Sequence, residues 1–508
     1  MNDHSGTHKK QWQDMIVIFI EGLILIFLFF LLAGCVQRYD PVLAENLKAR
    51  IVPTTTLPAT PSSTQPATMP ASTQATTQPG CEATQPTLPT GPLTLQAAIE
   101  LAYAQNPALG QVKEEIEVAK GKKLMAFSAF LPQVSGQYGV FMRNKQPGFN
   151  VLDLPINFGL PIGEKQFQTA ELQVQWMICD FGRSLSTFEQ ANLGVEICDL
   201  QYQRARETVA YQTTEFYFTV LRAQKFQVIA RDAVRQAEAH LKTAKTFFEH
   251  GAVDKNDVLR AEVQVAETRE MLVTADNAHD VATAALNRAM GINVNFPTQV
   301  VDAQTQPTFG RTIPECLAQA VECRKEFNIV QKAVQVAQYG EVYAKAEFLP
   351  KIYVGGNDTY VDDDYQLNKN LFTGGVGIQM DFFQGGRRIG QLKAARAGVQ
   401  SSICKARQVC DGIAFEVREA YLAIAEAREK IRLSESAVTQ SQENLRLINN
   451  KYAQGSVTPT DVVDAETLLT RSRQNYHNAV YDYLQALARL EYATGKSITS
   501  VSSTQPSR

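Results

Sequence analysis

Two stretches of this chain, 184–250 and about 388–453, read as helices far longer than a globular core can use. The first would span about 100 Å at 1.5 Å rise per residue. Segments such as QYQRARETVAYQTTEFYFTVLRAQ and REAYLAIAEAREKIRLSESAVTQSQENLRL are rich in Ala, Gln and charge, with narrow apolar stripes. A rod of this kind packs laterally on similar rods and encloses no core of its own. Taken alone, the rods would also describe a solvated coiled-coil stalk.

The chain makes this element twice. GAVDKNDVLRAE at 251–262 and GSVTPTDVVDAE at 455–466 share six of twelve positions at an offset of 204. The same offset pairs Asp180-Phe181-Gly182-Arg183 with Gln384-Gly385-Gly386-Arg387, and Ala289-Met290-Gly291 with Ala493-Thr494-Gly495. Upstream the offset becomes 218, pairing Phe130-Leu131-Pro132 with Phe348-Leu349-Pro350. The first copy therefore carries about 14 extra residues as a local loop. Each copy is domain-sized, too long for a solenoid repeat.

One plan runs through both copies. A helix of about 35 residues ends at the FLP, because Pro cannot continue a helix and holds its predecessor extended. Two strands follow, then the long helix, a turn, and a return helix of about 33 residues. The return helix of one copy and the 35-residue helix of the other would together match one long rod, with segment 293–312 joining them at mid-height.

The second strand of each copy, AELQVQW at 170–176 and VGIQMDF at 376–382, alternates apolar with polar or Gly, the period of a sheet with two different faces. Four strands of about ten residues, one face apolar and with Trp176, Phe372 and Phe383 near their ends, fit a transmembrane β-barrel. Gln173, Gln175, Gln379 and Asp381 would line its lumen. Four strands cannot close a barrel, and lipid tolerates no open edge, so the chain must oligomerise. A soluble β-sandwich cap would not need long tandem rods on one side.

The N-terminus reads as an export signal. Lys9 and Lys10 precede an apolar run at 16–32, which ends in Leu32-Ala33-Gly34-Cys35. An uncleaved anchor helix is the alternative. The ending resembles the bacterial lipoprotein signal, in which Cys35 becomes the acylated first residue. Position 36 is Val rather than the Asp often used for inner-membrane retention. The organisation is thus a signal at 1–34, an acylated Cys and Pro/Thr/Ser/Gln-rich tether at 35–92, repeats at 93–310 and 311–496, and a disordered tail at 497–508.

Composition removes other classes. With 49 basic and 52 acidic residues the net charge is −3, so no field points to nucleic acid. The eight cysteines and six histidines form no metal or disulfide spacing, and no metal site or cofactor is expected. Asp180-Phe181-Gly182 spells a kinase word without its companions, and Gly374-Gly375-Val376-Gly377 lies in a strand, not before a helix. HExxH and GxSxG are both missing, so no catalytic residue is assigned.

The duplicated strand and long-helix plan, the paired FLP, the GR after each strand pair and G-x-V-x-x-x-D-V-x-x-A-E at each helix turn resemble the TolC family of outer membrane efflux proteins over about 93–495. The resemblance implies a fold that is mainly α with transmembrane β. A homotrimer would form a twelve-stranded barrel in outer membrane lipid, continuing into a periplasmic helical tunnel. It implies a passive conduit for drugs, metals or polypeptides, handed over by a periplasmic adaptor and an inner-membrane pump. Cys35 is similar to the lipoprotein branch of the family. A surface-anchored stalk or adhesin without a conduit is the alternative.

On that reading the two turns are the periplasmic tips. Gly251 and Gly455 end the outgoing helices. Thr458, Pro459, Thr460 and Asp461 read as N-cap to N3 of the return helix, and residues 254–257 repeat the arrangement. The resemblance implies that Asp461 and Asp464 are aperture acids, that Tyr452 helps hold the tip closed, and that Asp257 joins the constricting contacts. The usual basic partner is replaced by Val457. Asp257 and Asp461 could also serve as caps alone. Asp464 has Arg260 as its repeat counterpart, so capping cannot require an acid there. Asp461 and Asp464 share a helix face, and three copies would stack two carboxylate rings that raise some of their pKa values.

Overall fold

The computed structural model describes residues 91–150, 159–251, 253–302, 307 and 309–496. The expected signal, Cys35, nearly all of the tether and the tail lie outside the described residues. Everything described belongs to the unit Ile51–Arg508.

The element order is α1 (Leu95–Gln105), α2 (Pro107–Phe127), a 3₁₀ turn (Ser128–Phe130), β1 (Gln133–Met142), β2 (Gly148–Asn150), β3 (Gly159–Pro161), β4 (Gln166–Cys179), α3 (Arg183–Glu249) and α4 (Lys255–Met290). The second copy repeats it as α5 (Ile313–Cys323), α6 (Lys325–Ala346), β5 (Lys351–Asp362), β6 (Asn370–Gln379), α7 (Arg387–Ala453) and α8 (Pro459–Thr494). Both long helices have 67 residues and both return helices 36. The extra residues of the first copy carry the β2–β3 hairpin, absent from the short β5–β6 connection.

Packing is lateral and built on small residues. Near the middle of α3, Tyr217, Phe218, Val220 and Leu221 are buried against Ala98 and Ala102 of α1, Leu286 and Met290 of α4, and Leu484 of α8. The second copy answers with Ile413, Val417, Ala420 and Ile424 of α7 against Cys316 and Ala320 of α5 and Leu487 and Leu490 of α8. The described start of the joining segment, at Val300 and Val301, lies at mid-height, as expected. Leu93 forms a parallel bridge with Val300. The Tyr217 hydroxyl, halfway along α3, donates to the Leu93 carbonyl at 3.0 Å and the Val301 carbonyl at 2.6 Å.

Two expectations about the rods need correction. The 35-residue helix is broken in both copies. Asn106 is extended, with ψ 120°, and its carboxamide oxygen accepts from the Ala108 amide, so Pro107 starts a new helix in its favoured place. The second break falls at Arg324, with ψ 126° and no proline. The stacking partner is also different: each return helix meets the broken helix of its own copy. The Asn106 carboxamide donates to the Ala289 carbonyl at 2.7 Å, and Arg324 donates to the Ala493 carbonyl at 3.2 Å. Gly291 and Gly495, both at positive φ, close α4 and α8 against these breaks. A Cβ on Gly291 would lie 2.5 Å from the Gln105 carbonyl oxygen, and one on Gly495 2.9 Å from the Arg324 nitrogen. Chain connectivity within a copy, rather than matched lengths, selects the partner.

The main sheet is antiparallel, in the order β1-β4-β5-β6. β4 of the first copy pairs with β5 of the second, and β1 and β6 form its edges.

Candidate functional site

The sheet register sorts its side chains into two faces. Residues opposite each other in an antiparallel pair lie on the same face. Gln133 faces Gln175, Ser135 faces Gln173 and Gln137 faces Glu171; Gln173 in turn faces Asn357, and Lys351 faces Gln379. These residues build one polar face across four strands. Gln173, Gln175 and Gln379, expected to share a face, do so. The opposite face carries Val134, Tyr138, Val140, Leu172, Val174, Trp176, Val354, Val376 and Ile378, interrupted by Asp358. Tyr138, Val376 and Ile378 are 67%, 58% and 71% exposed. The Trp176 indole donates to the Phe130 carbonyl at 2.9 Å, at the helix end of the sheet.

Asp381 is not part of this face. β6 ends at Gln379, so the expected strand at 376–382 stops short, and Asp381 and Phe383 lie in the turn to α7. There the Asp381 carboxylate accepts from the Gln384 amide at 2.6 Å, beside Arg388 at 3.7 Å. The cause is the left-handed pair Gly385 and Gly386, which reverses the chain before α7.

The matching turn of the first copy gives Asp180-Phe181-Gly182 a role. One Asp180 oxygen accepts from the Gly182 amide at 3.2 Å and the other from the Ser184 amide at 2.7 Å, satisfying donors at the start of α3. Among the described residues, Phe181 is the non-glycine residue at positive φ, where the second copy has Gly385.

At the far ends of the rods, Gly251 (φ +73°) and Gly455 (φ +68°) take the left-handed conformation that ends α3 and α7. The two return helices start differently. Thr458 and Asp461 form the expected reciprocal box: the Thr458 amide donates to Asp461 at 2.8 Å, and the Asp461 amide to the Thr458 hydroxyl at 3.4 Å. The Thr458 hydroxyl and amide hold the Asp461 carboxyl below its ordinary range. Asp254 makes no side-chain cap hydrogen bond, so 254–257 does not repeat the box. Two carboxylates at N-cap and N3 would also repel each other in a reciprocal pair.

Asp461 and Asp464 are both exposed, opposite the buried Val462, Ala465 and Leu469. Tyr452 is buried. Its ring lies 5.4 Å from the His240 ring and 5.7 Å from the Phe247 ring, both on α3, so it ties the two hairpins together. Burial and then the Asp257 carboxylate raise its phenol pKa. The Tyr452 hydroxyl and His240 Nε2 are buried without a hydrogen-bond partner.

Two tip residues escaped sequence reasoning. Arg260 reaches across to the second tip and donates to the Thr460 hydroxyl at 2.5 Å. Val457 had suggested that no base serves this turn; one arrives from the other repeat. Glu466 is buried, and burial pushes its carboxyl up to about 7. Its counterpart Glu262 is paired with Lys245 at 3.0 Å, and the lysine's repeat position is Asn449. That comparison was available in the sequence.

Among the described residues, no helix is long and apolar enough to cross a membrane, and no three His, Cys, Asp or Glu side chains group to hold a metal.

Residues 98–292 and 316–496 match the family described as outer membrane efflux protein. The chain belongs to the outer membrane efflux protein family. The match covers both repeats, and the family is one of channels rather than enzymes. Alkaline protease secretion protein AprF of Pseudomonas aeruginosa is 21% identical over 79% of this chain and 84% of its own length. Outer membrane protein TolC of Escherichia coli K12 is 25% identical over 64% of this chain and 69% of its own. The fold is that of the Campylobacter jejuni CmeC outer membrane channel, with a TM-score of 0.71 at 16% identity, covering 79% of this chain and 85% of that one. This efflux family member is therefore an outer membrane channel protein.

Proposed function

We propose that three copies of this chain close a twelve-stranded barrel and form a passive conduit, anchored in addition by lipid on Cys35. The observation that carries the reading is the two-faced sheet. One face carries polar side chains on all four strands, with Phe141, Phe167, Tyr353, Val361 and Leu371 among them, the other is mainly apolar, interrupted by Gln168 and Asp358, and both edges are open. Lipid tolerates an apolar exterior but no open edge, and a polar interior admits water. Gln173, Gln175 and Gln379 line the lumen on this reading.

The conduit narrows at the tips, with Asp464 of each copy facing the mouth. A ring of three carboxylates attracts cations. Asp461 acts mainly as a helix cap. A periplasmic adaptor and an inner-membrane pump hand over the cargo, and the pump supplies the energy. AprF is named for secretion of a protease, which keeps polypeptides beside drugs and metals as candidate cargo classes.

Single-channel recording in planar bilayers tests this. The purified protein should conduct, prefer cations, and be blocked by multivalent cations from the tip side. Asp464→Ala should reduce both block and selectivity with the trimer intact. Asp461→Ala should loosen the tip, because the Thr458 amide then loses its reciprocal partner. Inserted protein without conductance would overturn the conduit and leave a stalk.

A further inference from the structure

The internal repeat supplies a template for the joint between neighbouring copies, resting on the trimeric reading above. Moving β1 by 218 and β4 by 204 reproduces the β5–β6 hairpin pair for pair: Gln133 opposite Gln175 becomes Lys351 opposite Gln379, and Met142 opposite Gln166 becomes Tyr360 opposite Asn370. The two offsets therefore preserve strand register. The joint between the repeats, β4 with β5, can be carried over in the same way to β6 of one copy and β1 of the next.

We infer that β6 pairs with β1 of the adjacent copy with Val376 opposite Val140, and that Arg387 caps the adjacent copy's FLP turn. The first part follows from Leu172 opposite Asp358 and its neighbours. The same shift sets Gly374 opposite Met142, Ile378 opposite Tyr138 and Gln379 opposite Gln137. Faces provide an independent check. The transferred register joins Gln379 to Gln137 on the polar side and Val376 to Val140 on the apolar side, so both faces run unbroken across the joint. A slip of one residue would turn every side chain to the wrong face.

The second part follows from Arg183. It is 8% exposed, and its guanidinium donates to the Ala346 carbonyl at 3.0 and 2.7 Å and to the Leu349 carbonyl at 2.5 Å. It thus caps the end of α6 from the opposite repeat. Its counterpart Arg387 is exposed, and among the described residues no side-chain hydrogen bond engages it. The counterparts of Ala346 and Leu349 are Ser128 and Leu131. They form the same turn, Leu131 amide to Ser128 carbonyl at 3.1 Å against Leu349 to Ala346 at 3.0 Å. Within one copy β4, the strand before Arg183, lies on one side of β1, and the side that corresponds to the β4 side of β5 is a free edge. The arginine that follows the strand brought there by the joint is Arg387.

Oxidative cross-linking in outer membranes tests the register. Val140→Cys with Val376→Cys should yield covalent dimers and trimers. Tyr138→Cys or Met142→Cys with Val376→Cys should yield at least about tenfold less, since diagonal separations of roughly 7–8 Å exceed disulfide reach. The parent chain, oxidised alike, sets the background from native cysteines. Better linking by a shifted pair, or no linking in a chain that still runs as a trimer without oxidant, overturns the register alone. Lack of any trimer, linked or not, overturns the trimeric reading beneath it. Arg387→Ala should lower the temperature at which the unlinked trimer dissociates while leaving its helical content unchanged. An unchanged dissociation temperature overturns the cap.

Discussion

Glu262 and Glu466 hold the same place in the two copies, yet only Glu262 has its lysine. Glu466 is buried near the start of α8, and burial raises its carboxyl to about 7. A folded-state pKa above the ordinary value means that the native tip holds this proton more tightly than the unfolded chain. Stability is then full at low pH and falls as pH rises from about 4.5 through about 7. Glu466→Gln should remove that slope and strengthen the second tip by about 1–3 kcal/mol above neutrality. Protection factors of the amides around Val462 and Leu469, taken relative to the intrinsic exchange rate at each pH, read it across that range. Lower protection at low pH than at neutral pH in the parent chain would contradict the reading. Cys35 is a residue-scale matter of another kind, decided by local sequence. Cys35→Ser should abolish palmitate labelling and leave an unprocessed precursor mass, while the barrel still assembles, because the strands carry the main apolar surface. Labelling of that variant would sink the lipoprotein assignment. Asp381 shows where residue-level pattern misled: alternation continued on paper through VGIQMDF, but the two glycines after Gln384 reverse the chain and end the strand early.

Among the elements, the long helices were legible nearly to the residue, because each is bounded by backbone chemistry. Gly182 and Gly386 precede them, and Gly251 and Gly455 follow them, all at positive φ. The break at Asn106 was also signalled, by the proline after it. The break at Arg324 was not. There the guanidinium is buried and engages Glu416 at 2.6 Å, Glu326 at 2.7 Å and the Ala493 carbonyl, and it lies 5.9 Å from the Tyr492 ring. Only packing brings these groups to one place. The stacked joints give a test at this scale. Gly291→Ala meets both a left-handed backbone and the Gln105 carbonyl, whereas Gly251→Ala meets the left-handed backbone with open space around it. The second should cost about 1–2 kcal/mol, the conformational term alone. The first should cost clearly more and lower the unfolding temperature of the purified channel further. Equal effects would mean that the helix ends do not abut as described.

For the whole molecule, the face assignment makes the sharpest demand. Val376→Lys places a charge on the apolar side, at roughly 2–4 kcal/mol per site near a bilayer midplane, repeated in every copy. Gln379→Lys changes the polar side. The first should abolish heat-resistant trimer; the second should assemble and shift ion selectivity toward anions. Equal responses, read on gels and in bilayers, would mean that the faces are wrongly assigned. The duplication, the rods, the alternating strands and the turn chemistry were determined by the sequence itself, since each depends on residues a few positions apart: periodicity, glycines at positive φ, prolines that stop or start helices. Which helix stacks on which, that Arg260 of one repeat supplies a donor to the turn of the other, and that Tyr452 is locked between His240 and Phe247 were decided only in the tertiary structure. Those contacts join residues about 200 positions apart, and nothing local in either partner specifies the other. Their physical cause is lateral helix packing, in which small side chains let the rods approach and the connectivity of each copy chooses the neighbour.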